Sequence, residues 1–466
     1  MALSSLGIAS GIDESVITQL VALEKKPLQT LQTKATAVNS QISTYARIKS
    51  LMSTLSDAAN KLGQSATWNS KVATSSSSAV SATVTSAAQG ASYDIGVSQL
   101  AQAQSTSSSA VPKDTKLGAG TLSIQLGTWS GAAGSEQFAA GSASAVSVEV
   151  KDTDTLSDIA SKINKANSGV TASVLRDASG ERLLFRSSAT GESTGFRVQS
   201  SDSALSSLAF DPESAPGQGM AANAVQYGKN AQATINGISV SSTTNAFTDT
   251  LPGLSFTVSQ VTTTTGPAVV TVSTDTDALK KGVQDFVTAY NALNDLLGSS
   301  TKYDEASKTA GALQGDSTTV GLQNALRSVV ASSTAGGAFA RLADIGVDIQ
   351  KGGKMVINDT KLTAALKNPS ALQAMFAGGE GVEGLGTKVR SFATKALGVE
   401  GTIENKTNAL NSAVKRNSDE QDRVNDRASR VEKQLREKYQ ALDTKMASLT
   451  ALNSYIGQQV TMWNKS

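Results

Sequence analysis

The chain has 466 residues and neither a cysteine nor a histidine among them. Without cysteine there is no disulfide and no thiolate nucleophile. Without histidine there is no Ser-His-Asp triad, and the two absences together remove almost every His/Cys zinc site. An enzyme built from this sequence would have to work with carboxylates, Lys, Ser or Tyr, and nothing fixes two acids at the separation glycoside hydrolysis needs. Aromatics are sparse at 4% and charged residues at 17%, with Ser, Thr, Ala and Gly in their place. Such a chain suits thin β-layers and helix seams better than deep, aromatic-lined pockets. The net charge of +2 comes from mixed signs with no basic patch, so no nucleic-acid partner is expected. No apolar run approaches the roughly 18 residues of a membrane span, so no membrane partner is expected either. The start carries no Lys or Arg before Lys25, and Asp13 and Glu14 interrupt it, unlike a secretory signal peptide. The reading is of a non-enzyme: no catalytic residue, no cofactor and no metal.

What is present begins with periodicity. The length allows two to four domains. Near the start, Val16, Ile17, Leu20 and Leu23 form one apolar stripe, and Pro27 is expected to break that helix. A coiled-coil-like stripe follows at Leu31, Ala35, Val38, Ile42, Tyr45, Ile48, Met52, Leu55, Ala59 and Leu62. Its steps alternate four and three, with two consecutive threes at Ile42–Tyr45–Ile48. The same rhythm returns at Leu279, Val283, Phe286, Tyr290, Leu293 and Leu297, where Gly298 is expected to stop it, and in an amphipathic stretch at 316–333. "VDIQKGGKMVI" reads as a small hairpin around Gly352 and Gly353. A long helix is expected over about 403–463, with seam positions Leu410, Val414, Val424, Ala428, Val431, Leu435, Leu442, Leu449, Ile456 and Val460. At the far end Leu449, Leu452, Ile456 and Val460 form a second terminal stripe, which Asn453 and Gly457 weaken.

Between about 70 and 275 the period changes to two. "SAVSATVTS", "YDIGVSQL", "GTLSIQL", "VSVEV", "GVTASVL", "FRVQS", "ATINGISV", "GLSFTVS" and "AVVTVS" alternate between turn residues. Asn236-Gly237 signals a type I′ hairpin. One helix interrupts, "TLSDIASKIN", with Thr155 as N-cap, Asp158 closing a capping box and Asn167–Gly169 ending it. The stretches 103–114 and 212–219 read as flexible boundaries of an inserted domain. Helix-rich segments at both ends are each incomplete, so the economical fold is one helical domain built from both termini with the β block inserted. The terminal stripes would then meet and cover part of each other.

Three motifs have plainer explanations. Gly379, Gly381 and Gly384 spell G-x-G-x-x-G, but helix precedes them and Glu380 and Glu383 would repel a phosphate. Asp152, Asp154 and Asp158 lack the glycine and closing glutamate of a calcium loop, and helix capping accounts for them. The Gly-Lys pairs at 228 and 353 have Asn223 and Asp348 where a Walker loop needs its first glycine. In the charged run 415–445, Asp419, Asp426 and Glu432 precede Arg423, Arg430 and Arg436 by four residues, a stabilising helical spacing. Asn417 and Gln421 fall on the seam, where polar residues weaken a coiled coil while fixing its register. The run reads as an exposed helix, with a charge strip for a partner as the alternative.

The segments 7–28, 93–105, 155–175, 235–258, 286–297, 311–316 and 342–366, in this order, resemble the flagellar hook-associated protein 2 family, the filament-capping proteins of bacterial flagella. The segment 155–175 is also similar to a motif of flagellins and hook proteins. The resemblance covers essentially the whole chain. It implies an α+β multidomain protein: a discontinuous helical bundle and coiled coil from both termini with two inserted antiparallel β-rich domains. The expected parts are a leg from 1–40 with 435–466, a helical domain from 41–70 with 275–434, an inner β domain from 71–106 with 223–274, and an outer one from 107–222. It implies a homo-oligomeric ring, most often a pentamer, at the distal tip of the filament, guiding exported flagellin into the lattice and preventing its leakage. Hook–filament junction proteins and an export chaperone are the further partners implied, with secretion through the flagellar type III apparatus. The proposed leg and assembly seam is Val16, Ile17, Leu20, Leu23, Leu449, Leu452, Ile456 and Val460. A surface adhesin using the outer β domain is the alternative function.

Overall fold

The structure, a computed structural model, describes residues 14–464 apart from 307, 335, 336 and 380. The opening stretch 1–13, and with it Asp13, therefore lies outside the described residues, as does Glu380 of the glycine loop. Two compact units result, a helical one from the two ends of the chain and a β-rich one over Asn69–Asp275. In chain order the helices are α1 (Glu14–Leu62), α2 (Ser65–Trp68), α3 (Leu156–Lys165), α4 (Thr276–Thr301), α5 (Ser317–Ala331), α6 (Asp359–Ala365), α7 (Pro369–Ala377), α8 (Leu385–Leu397) and α9 (Thr402–Trp463).

In the helical unit the expected stripe of α1 faces inward: Tyr45, Ile48, Met52, Leu55, Ala59 and Leu62 are all buried. They meet Leu279, Phe286, Tyr290 and Leu293 of α4, Leu372 and Phe376 of α7 and Val389 of α8 in one core. Gly386 lets α8 come close to α1, because a Cβ there would stand 2.6 Å from the Ala59 carbonyl oxygen. Trp68 stacks on Phe376 with centroids 5.5 Å apart, and its Nε1 donates to the Leu62 carbonyl at 2.8 Å. The hairpin over 347–357 forms with Gly352 and Gly353 at positive φ. Tyr290 donates to its Gly353 carbonyl, and Asn291 exchanges two hydrogen bonds with Met355. The glycine-rich loop is a minimal hairpin, 378–379 against 382–383, directly after α7. No strand leads into it, so the phosphate-binding arrangement does not arise.

Two expected helix ends are corrected. Pro27 does not break α1, which runs through it for 49 residues. An interior proline costs about 3 kcal/mol, but Pro27 is exposed, and Ile17, Val21, Leu28 and Leu31 keep one stripe in phase across it. Packing on both sides therefore outweighs the single lost bond. Gly298 does not stop α4 either. The helix continues to Thr301, with Ser300 buried and the Thr301 hydroxyl donating to the Leu297 carbonyl at 2.9 Å.

The β-rich unit has two cores. Around the first lie a five-stranded antiparallel sheet, in the order β1 (Lys71–Ser75), β15 (Ala268–Thr274), β3 (Ala91–Gln99), β11 (Ala231–Ile235) and β12 (Ile238–Ser242), and a three-stranded one of β13 (Ala246–Leu251), β14 (Leu254–Val258) and β2 (Val80–Val84). Ile95, Val270, Phe247 and Phe256 fill this core. The turn joining β11 to β12 is the expected two-residue one: Ile235 pairs with Ile238, and Asn236 and Gly237 have φ of 49° and 84°. Around the second core lie β10 (Gly195–Ser200), β5 (Gly120–Ser130), β6 (Gln137–Ala140) and β7 (Val146–Val150), and a sheet of β4 (Ser105–Ser107), β9 (Gly180–Ser187) and β8 (Val170–Asp177). Here α3 buries Leu156, Ile159 and Ile163, and the expected capping box of Thr155 and Asp158 is in place. Asp154 is held below the usual carboxylate range by the Lys151 amide and then by Lys162. Asp154 and Asp158 thus serve the helix entry, Asp152 is exposed beside them, and among the described residues no group of three or more such side chains could hold a metal ion.

The stretch 103–114, read as a flexible boundary, is corrected over its first half. Ala103, Gln104, Thr106 and Ser108 are buried, and β4 pairs with β9. Its polar side chains substitute for backbone partners. Gln104 exchanges two bonds with Phe196, Thr106 donates to the Met220 carbonyl, and Ser108 accepts from the Leu183 amide. Polarity here marks satisfied burial, not solvent.

Candidate assembly seam

Helices α1 and α9 lie antiparallel, as four contacts along them establish. Lys49 meets Glu404 at 3.1 Å, Asn417 donates to the Leu31 carbonyl at 3.1 Å, Arg427 meets Glu24 at 2.9 Å and Arg436 meets Glu14 at 2.6 Å. Near the hub the seam is locked by a polar node. Tyr45 donates to Asp316 Oδ1 at 2.9 Å and lies 2.9 Å from the Thr319 hydroxyl. The same carboxylate caps α5 through the Thr319 amide, and Lys406 of α9 reaches its other oxygen at 2.7 Å. Burial pushes Asp316 up, but Lys406, the Thr319 amide and Tyr45 outweigh it and hold the carboxyl below its ordinary value. Burial raises the Tyr45 phenol well above its ordinary range, with Asp316 adding to the rise against the lowering bond to Thr319.

Farther out, Ile17 and Val21 are buried with Ala428, flanked by Leu435 and Tyr439. Leu410, Val414, Val424, Ala428, Val431 and Leu435 face the seam as expected, and so do Asn417 and Gln421, the latter donating to Asn417 at 2.6 Å. The expected ion pairs are partly rearranged. Glu432 does pair with Arg436, at 3.0 Å, but Arg423 turns to Glu420, one residue nearer than Asp419, and no pair closes between Asp426 and Arg430. Arg427, and Arg436 in addition to its pair with Glu432, reach across to α1, where the opposite acids stand at the same level.

The eight residues of the sequence-derived seam divide. Ile17 is buried, whereas Val16, Leu20 and Leu23 are exposed on the outer side of α1. Leu449, Leu452, Ile456 and Val460 lie between 48% and 57% exposed on the last turns of α9. The antiparallel register sets residues 14–24 against 427–439, so among the described residues the two terminal stripes do not cover each other. Beyond Tyr439, α9 keeps a stripe at Leu442, Met446, Leu449, Ile456 and Val460, all exposed, with Asn453 in the same row. Val21, Tyr439 and the Asp316–Lys406 pair were not anticipated. Val21 continues the four-residue step from Ile17, a signal hidden by treating Pro27 as a stop, whereas nothing local in the sequence announces a pair ninety positions apart. No described helix is long and apolar enough to cross a membrane.

A family model described as the flagellar hook-associated protein 2 C-terminus matches residues 228–451, one for the N-terminus of the same protein matches 10–104, and the flagellin hook IN motif matches 133–189. The last span contains α3 with its capping box. The chain is 30% identical over 470 residues to flagellar hook-associated protein 2 of Escherichia coli K12, covering 98% of each. It is 30% identical over 476 residues to that of Salmonella typhimurium, covering 100% of this chain and 99% of the relative. Among solved structures, the D1-D2-D3 domains of the flagellar cap protein FliD from Escherichia coli are similar, with a TM-score of 0.60 and 31% identity over 79% of this chain and 99% of that one. The sequence relationship runs essentially end to end and the architectural one over 79% of the chain, and the chain belongs to the flagellar hook-associated protein 2 family.

Proposed function

We propose that this chain is a flagellar filament cap, a non-catalytic assembly protein that oligomerises and guides flagellin into the growing filament. The observation that carries the reading is the end-to-end relationship: one relative aligns over 98% of both chains, and the similar solved structure is that of a flagellar cap protein. The flagellin hook IN motif at 133–189 supports a relation to flagellin. The finer reading is a ring, a pentamer for preference, at the distal tip of the filament, reached by secretion through the flagellar export apparatus with an export chaperone, and succeeding the hook–filament junction proteins. In this reading the leg comprises 1–40 with 435–466, the helical domain 41–70 with 275–434, and the inner and outer β domains 71–106 with 223–274 and 107–222. Val16, Leu20 and Leu23 with Leu449, Leu452, Ile456 and Val460 are its assembly surface, since each leaves apolar area in water that a neighbour would cover. Ile17 supports that surface from within.

The test is deletion and complementation. A strain lacking its own copy should be non-motile, with short or absent filaments and monomeric flagellin in the medium, and expressing this chain should restore filaments. Full-length filaments and normal swimming in the deletion strain would refute the reading.

A further inference from the structure

Two weaknesses in the α1–α9 pair fall at the same level. On α1, Pro27 lacks the amide that would bond the Leu23 carbonyl, and it lies between the two contacts made by Glu24 and Leu31. On α9, the matching interval between Arg427 and Asn417 contains Gln421, and the seam there is built from amides bonded to each other and to the Leu31 carbonyl. An interior proline is a common cause of helix bending, and polar seam residues loosen a coiled coil. Either alone would leave the partner helix to act as a splint. Here neither helix splints the other.

The apolar packing is divided at the same place. Below it, Ile17, Val21 and Ala428 form a small cluster of their own with Leu435 and Tyr439. Above it, Leu410 belongs to the core of the helical unit, with Val38 and Ile42 half-buried against that core, and the Tyr45–Asp316–Lys406 node fastens it to α5. In between, Leu28, Leu31, Ala35, Val414 and Val424 are only half-buried. Segments separated by a stretch of low burial open as separate units.

We infer that Pro27 with Asn417 and Gln421 forms a built-in hinge, about which the distal leg, residues 14–24 paired with 427–439 and the continuation of α9 to 463, bends and opens independently of the helical hub. The inference adds to the proposed function a joint that lets the leg yield while the hub stays folded, and its test does not require filament assembly.

Hydrogen exchange on the full-length monomer reads the hinge directly. Amides of 17–24 and 428–439 should exchange together, about ten-fold or more faster than those of 48–62 and 403–411. Replacing Pro27→Ala and Asn417→Leu should slow the distal set towards the hub value while leaving α4 unchanged. Equal protection of the two sets in the native chain, or distal exchange untouched by the paired substitution, would overturn the hinge. If the paired substitution misfolds, Pro27→Ala alone serves, since Pro27 is exposed. Spin labels at Ser50→Cys and Ala441→Cys give a second reading in a chain with no other cysteine. A broad distance distribution that narrows with Pro27→Ala is expected, and a narrow one from the outset contradicts the hinge.

Discussion

Asp316 does three jobs with two oxygens: it caps α5, accepts from Tyr45 and pairs with Lys406. Its folded value lies below that of a free aspartate near 3.9. A lowered value means that its contribution is fully present above about pH 4 and is lost as pH falls through the folded value. Tyr45 runs the other way at the alkaline end: its raised value favours the neutral phenol, and its contribution is lost from about pH 10 upward. Asp316→Asn keeps a cap but removes the charge facing Lys406, and should destabilise the α1–α5–α9 junction by about 1–3 kcal/mol. Protection of α5 amides against exchange, followed from neutral to acid pH, checks both points. The native chain should lose protection in acid through this group, and the variant should start lower and show a flatter slope. The node as a whole was illegible in the sequence, because only its Asp316–Thr319 cap is local, while Tyr45 and Lys406 reach it from far along the chain.

At the scale of single elements, local chemistry was legible where a motif was complete. The α3 entry is the example, since Thr155 and Asp158 sit three apart before an apolar triplet and form the box the spacing requires. Thr155→Ala should cost about 1 kcal/mol, seen as faster exchange in α3 with the five-stranded sheet unaffected. Strands with alternating apolar residues were equally readable. Others were not, for physical reasons visible in the structure. In β9 the inward row is Glu181, Leu183, Phe185 and Ser187, and a buried glutamate paired with Arg176 at 2.7 Å disguises the alternation. In β4 the inward residues are polar and bonded to backbone. For α1, proline chemistry was read correctly as a penalty but not weighed against a stripe that stays in phase through it.

For the molecule as a whole, the sequence indicated the division into a helical part from both termini and a β part between them, because the hydrophobic period changes from near 3.6 to 2 and back. The β part, Asn69–Asp275, contains both its cores and all the pairing of its sheets. Expressed alone it should fold, giving a structured near-UV circular dichroism spectrum and a cooperative melt. A flat spectrum would show that it depends on the helical unit. The terminal helices were less legible, since Val16, Leu20 and Leu23 and the last stripe of α9 stay exposed in the single chain, and apolar periodicity alone does not tell an exposed stripe from a buried one. The central claim is that this chain caps the filament and that the exposed leg stripes make the assembly contacts. The most direct measurement is flagellin in the culture medium of a strain whose only copy carries Leu20→Asp with Ile456→Asp, two changes at exposed positions. The account predicts a folded, exported protein, monomeric flagellin leaking into the medium and no filaments; normal filaments with no leaked flagellin would contradict it.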